Sequence, residues 1–196
     1  MFDTPEVLLE RIHLGEDNSL ELKAMFFTGE KVKGPDRRDV ADELAAFANA
    51  HGGVLVLGID DKSREIVGIP LDRLDVAERF AYELVRDLIK PPLFPRIERM
   101  ELAATDGRSR AVIKIDVPRS LFVHQSPGGY FHRVGSTRRE MDADYLGRLM
   151  QQRSQARLIR FDEQVVSDVS IGDLGPELVD RFRTTRRRLS HSCQRS

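Results

Sequence analysis

Apolar and polar positions along this chain change period several times, and each change marks an element. Pro5 to Ile12 places Val7, Leu8 and Ile12 on one side of a short helix. Ser19 to Phe27, SLELKAMFF, begins at period two: Leu20 and Leu22 point one way, Glu21 and Lys23 the other, which is strand logic. Gly29 to Pro35 reads as a polar loop. Asp36 is an N-cap for a helix that carries Val40, Leu44, Phe47 and Ala48 on one face and ends at Gly52-Gly53. Val54 to Ile59, VLVLGI, is too short for a helix and reads as a buried strand. Asp60-Asp61-Lys62 turns the chain, and Glu65 to Ile69 returns as its hairpin partner. A helix over Asp72 to Lys90 buries Ala77, Phe80, Ala81, Leu84, Val85 and Leu88 until Pro91-Pro92 stops it. Strands follow at Arg96–Leu102 and Arg110–Val117 around the Asp106-Gly107 turn, then at Tyr130–Val134. A last helix over Asp142–Arg153 buries Tyr145, Leu146 and Leu149.

The order α-β-α-β-β-α-β-β-β-α lacks strict βαβ alternation. It predicts an α+β fold (an α/β-type sandwich), with a mixed sheet and packed helices in one domain over residues 1–153. Residues 154–196 read as an extended connector and basic tail without a core of their own. Phe161 to Asp180 holds six acids and no Lys or Arg; Arg181 to Ser196 holds six Arg and no acid.

A length of 196 residues suits one domain, and 40% hydrophobic content supplies a core. Lys+Arg total 31 against 32 Asp+Glu, a formal net charge of −1, so a surface for a polyanion has to come from local segregation of charge. The single cysteine, Cys193, excludes an intrachain disulfide and a four-cysteine zinc site. No apolar run approaches the ~20 residues of a membrane span, and the acidic start MFDTPEVLLERI is not a signal pattern. A cytoplasmic protein without membrane association is the expectation.

Phosphate-loop, GxGxxG, HExxH and GxSxG motifs are missing, and the histidines show no metal-ligand spacing. Three features carry candidate chemistry. Glu16 just before the first strand, Glu21 inside it and Asp60, with Asp61, where VLVLGI ends could converge, hold Mg²⁺ or Mn²⁺ and activate water; their alternative is a solvent-facing strand acid, Glu21, and two turn formers, Asp60 and Asp61. AFANAHGGVLVLGIDD joins helix, glycine pair, strand and acidic turn without spare residues. Gly52 and Gly53 permit positive φ and close backbone approach, Gly58 suggests a bulge or tight neighbour, and Asn49 is free to bond backbone or ligand. YFHRVGSTRRE offers Arg133, Arg138 and Arg139 with the Ser136 and Thr137 hydroxyls for phosphate oxygens. Lys31, Lys33, Arg37 and Arg38 form a second basic cluster. A solvated charged loop is the alternative for both.

The running order GEDNSLELKAMF, DELAAFANAHGGVLVLGIDDKSREIVGI, Pro-Pro, YFHRVGSTRREM resembles the Schlafen-type AlbA domain over about Glu16 to Arg153. The resemblance implies a DNA-binding module of α/β type, of the kind found at the front of bacterial transcriptional regulators. Some animal Schlafens cleave tRNA or rRNA with three carboxylates; by position these match Glu16, Glu21 and Asp60. The leading reading is therefore a DNA- or RNA-binding module with Lys31, Lys33, Arg37, Arg38, Arg133, Ser136, Thr137, Arg138 and Arg139 at its interface. The alternatives are a Mg²⁺- or Mn²⁺-dependent endoribonuclease, with a homodimer supplying the second lobe such nucleases carry, and a regulatory protein-interaction module.

Overall fold

In a computed structural model, residues 4–157 are described; the acidic stretch and arginine-rich tail lie outside them. Thr4 caps α1 (Pro5–Leu14) through a bond from the Val7 amide, with Pro5 in the first turn, where its missing N–H costs nothing. Asp36 caps α2 (Arg37–Asn49), its Oδ1 accepting from the Arg38 and Asp39 amides at 2.8 and 3.2 Å. The strands are β1 (Leu20–Lys23), β2 (Phe26–Thr28), β3 (Lys31–Gly34), β4 (Gly52–Leu57), β5 (Arg96–Ala103), β6 (Ser109–Pro118), β7 (Phe131–Val134) and β8 (Thr137–Glu140). The remaining helices are α3 (Leu74–Glu83), extended by a wider turn over Leu84–Leu88, and α4 (Ala143–Arg157).

A four-stranded mixed sheet runs in the order β1-β4-β6-β5, with β1 and β4 parallel and the other pairs antiparallel. One face packs Leu55, Leu57, Ile113 and Ile115 against Leu44 and Phe47 of α2 and Phe80 of α3. The other packs Leu20, Leu22, Val54 and Val56 against Leu8 and Ile12 of α1. With both faces covered, β4 is apolar at every position from Val54 to Leu57, which is the physical meaning of its unbroken hydrophobic run. The α+β prediction stands.

Several boundaries differ from the sequence reading. The strand foreseen over 19–27 breaks after Lys23, and its second half, β2, pairs with β3 inside the segment read as a loop. Phe27 and Val32 pack inward on the core, which makes this small hairpin worth folding. The 65–69 return keeps only an isolated Ile59–Ile66 bridge. Thr137–Glu140, read as loop, is a strand paired with β7. Gly52, with φ at +86°, opens β4 rather than ending α2, and Gly58, with φ at +105°, lies just beyond β4 instead of inside it.

Candidate nucleic-acid interface

β1 sends Glu21 and Lys23 to the face opposite Leu20 and Leu22, as the alternation predicts. That face is covered by α2 and the β7–β8 hairpin, so Glu21 is only 5% exposed. The group that closes over it is Arg133, on β7. Its Nη1 donates to Glu21 Oε2 at 2.8 Å and to Glu43 Oε2 at 2.6 Å; its Nη2 donates to the Asp17 and Ser136 carbonyls at 2.8 and 3.1 Å. The guanidinium also lies 4.6 Å from the centre of the Phe47 ring. One planar cation thus ties together β1, α2, the 15–19 loop and the β7–β8 turn. Only arginine has enough fixed donors for this.

Arg133 was expected to contact phosphate at the surface. It is 7% exposed and held by two carboxylates, so that expectation is corrected. Its neighbour Arg138 is also engaged. It pairs with Asp39 and Glu43 at 3.3 Å each, donates to the Asp39 carbonyl at 3.1 Å, and stacks 4.9 Å from the Phe131 ring. Ser136 serves through its carbonyl, while Thr137 Oγ1 donates to the Val134 carbonyl at 3.0 Å, a turn-forming bond. Most of the segment read as a phosphate loop is therefore a clamp on α2.

The carboxylates around Arg133 feel their burial. Desolvation, then the charge of Glu21, pushes the Glu43 carboxyl above the ordinary carboxylate value despite Arg133 and Arg138. Glu16 is raised as well, chiefly by desolvation, although its Oε1 accepts from the Leu22 amide at 2.9 Å. Lys23 Nζ donates to Glu21 Oε1 at 2.6 Å; desolvation lowers its pKa, but that bond together with the charges of Glu21, Glu43 and Glu16 raises it on balance.

Asp60 does not join this group. Its Oδ1 accepts from the Lys62 and Ser63 amides at 3.1 and 2.8 Å and from Ser63 Oγ at 2.8 Å, an Asx turn that holds its carboxyl below the usual range. Glu21 meanwhile carries Lys23 and Arg133. Among the described residues no three His, Cys, Asp or Glu side chains form a group able to hold a metal ion. Glu16 and Glu21 lie close enough for the charge of Glu21 to act on Glu16, while Asp60 is engaged in its own turn.

Two functional residues escaped the sequence reading. Glu43 sits three residues after Val40 and four before Phe47, so it belongs to the apolar face of α2; an acid on that face was the available signal. Asp42 Oδ1 accepts from the Gly128 amide at 3.0 Å, and Gly128 must be glycine because a Cβ would press on that carboxylate and on Phe131. Asn49, left open between backbone and ligand, bonds backbone. Its Nδ2 donates to the His124 and Phe131 carbonyls at 2.8 and 3.0 Å, and its Oδ1 accepts from the His124 amide at 2.8 Å.

A family model described as Schlafen, AlbA_2 matches residues 16–142, a stretch that begins at Glu16 and contains the whole Arg133 clamp. The chain belongs to the Schlafen AlbA_2 family. A crystal structure of the DIP2311 protein from Corynebacterium diphtheriae is also similar, 22% identical over 64% of this chain, with a TM-score of 0.46. The match covers 22% of that chain, so this one spans about a fifth of its length. In this Schlafen AlbA_2 chain, cations that engage no carboxylate among the described residues occur elsewhere. Lys31 and Lys33 are exposed on β3, and the Arg38 guanidinium donates to the Pro127 carbonyl at 3.4 Å. Arg37, beside them, pairs with Glu83 at 3.1 Å and lies 5.2 Å from the Phe80 ring. Arg139 is exposed on the face of β8 opposite Arg138, paired across the hairpin with His132, whose ring stacks on Tyr145 of α4 at 4.4 Å. Arg138 and Arg139 thus lie on opposite faces of β8, while Lys31 and Lys33 belong to β3 and Arg37 and Arg38 to the first turn of α2. No helix among the described residues is long and apolar enough to cross a membrane.

Proposed function

We propose that this chain is a nucleic-acid-binding module whose phosphate contacts come from the corner where β3 meets α2. The observation that carries this reading is that Lys31 and Lys33 of β3 and Arg38 in the first turn of α2 are exposed and have no carboxylate partner among the described residues, in a molecule whose net charge is −1. Solvated, unpaired cations can exchange counterions for phosphates, whereas Arg133 would first have to abandon two buried carboxylates. Membership of the Schlafen AlbA_2 family supports a nucleic-acid-related role. Arg139 and half-engaged Arg37 extend the contact surface to either side. Such contacts position the partner without reading bases, so DNA and RNA would bind with weak sequence dependence.

The test is a fluorescence-anisotropy titration of labelled DNA and RNA at about 50 and 200 mM salt. The expected result is binding that weakens steeply with salt, and a smaller salt slope for a Lys31→Gln, Lys33→Gln, Arg38→Gln variant. No binding to either polymer at the lower salt overturns the reading.

A further inference from the structure

Alternation along the β2–β3 hairpin sorts its side chains. Phe27 and Val32, paired across the hairpin, turn inward onto the core. Thr28 with Lys31, and Phe26 with Lys33 nearby, occupy the outer face, where Phe26 is 58% exposed. The Phe26 ring lies against Gly34, its partner across the strands, where a larger residue would displace it. An exposed phenylalanine with two lysines on one face is not needed by the core.

That ring also forms one wall of a groove of about 610 Å³. The opposite wall is the 67–71 loop, with Val67 41% and Leu71 76% exposed. The loop is held in place. Arg110 Nη1 donates to the Ile66 and Val67 carbonyls at 2.9 and 3.2 Å, the Gly68 amide to the Gly58 carbonyl at 2.8 Å, and the Ile69 amide to the Ala111 carbonyl at 2.7 Å. The groove is therefore built before any partner arrives, and its size suits a planar ring system. Two acids stand nearby. Glu101 in the wall accepts from Ser109 Oγ at 3.1 Å, and Glu30 lies at the hairpin turn next to Lys31.

We propose that this groove receives an unstacked base of a single-stranded nucleic acid, with Phe26 stacking on the base and Lys31 and Lys33 holding the adjoining phosphates. Aromatic surface interleaved with unpaired cations is the chemistry of sequence-tolerant single-strand binding. A duplex keeps its bases stacked and would meet only the lysines. The inference rests on the nucleic-acid reading above and adds the class of strand.

The test uses the full chain and three labelled probes in anisotropy titrations: a ~20-nucleotide thymidine strand, an abasic strand of the same length, and a duplex. The base-bearing strand should bind more tightly than the other two. Phe26→Ala should weaken its binding on the order of tenfold while leaving the duplex little changed, and Phe26→Trp should retain it. Lys31→Gln with Lys33→Gln should lower the salt slope for all three probes. Because Phe26 is exposed, the alanine variant should keep the wild-type circular dichroism spectrum. If folded Phe26→Ala binds the thymidine strand as tightly as wild type, or if the abasic strand binds equally well, the inference falls while the nucleic-acid reading stands; the groove would then suit an apolar protein segment. If wild type binds none of the probes, the parent reading falls too.

Discussion

At the scale of single residues, Arg133 decides more than any other side chain. Its removal takes from buried Glu21 and Glu43 the cation they share, leaving them only Lys23 and Arg138 respectively. Arg133→Ala should therefore cost about 3–5 kcal/mol in urea unfolding, far above a surface change. Arg133→Lys should recover only part of that, since one ammonium cannot reproduce four bonds from two terminal nitrogens. An alanine variant as stable as wild type would remove the clamp from the account. Glu43 supplies a pH signature. Its folded pKa lies above the ordinary 4.5, so the folded state binds the proton more tightly than the unfolded chain. Its contribution to stability is then largest at low pH and declines as pH rises through the interval above 4.5. The stability of wild type minus that of Glu43→Gln, followed by urea midpoints against pH, should fall across that interval; a rise would reverse the assignment. Residue types were legible in the sequence, but their roles were less so. Glu21's direction followed from period two, yet its burial did not, because the covering hairpin lies 112 residues further on.

At the scale of elements, the α2–β4 junction shows what local pattern can say. Gly52 and Gly53 were singled out together, and the structure separates their reasons. Gly52 is held at positive φ with backbone of the β6 end close by. Gly53 has ordinary backbone angles, but any Cβ there would penetrate the Phe47 ring. Phe47 is fully buried and supports Arg133, so Gly53→Ala should cost about 1–3 kcal/mol by overpacking. Thermal or urea unfolding of that variant checks it, and a neutral change would mean the ring can shift freely. Long segments with a clear period or an unbroken apolar run, such as α2, β4 and β6, could be read directly. The hairpins β2–β3 and β7–β8 could not, because strands of three or four residues are too short to establish a period. What stabilises them is the packing of Phe27, Val32 and Arg133 on the rest of the molecule.

At the scale of the whole molecule, charge is sorted by depth. Arg133 and Arg138 face carboxylates inside or under the hairpin, while Lys31, Lys33 and Arg38 face solvent. Salt should therefore act differently on stability and on binding. Raising it from about 50 to 200 mM should weaken oligonucleotide binding many-fold yet move the urea midpoint little, because buried pairs are poorly screened. Parallel movement of both would place the two cation sets in the same environment. The amino-acid sequence alone determined the α+β class, the main helices and sheet strands, and the family, because hydrophobic period and glycine punctuation are local properties. Only the tertiary structure decided which arginines are spent on carboxylates and that Phe26 opens onto a groove. Each of those outcomes depends on groups brought together from distant parts of the chain, and a charge carries no mark in the sequence of the partner it will meet.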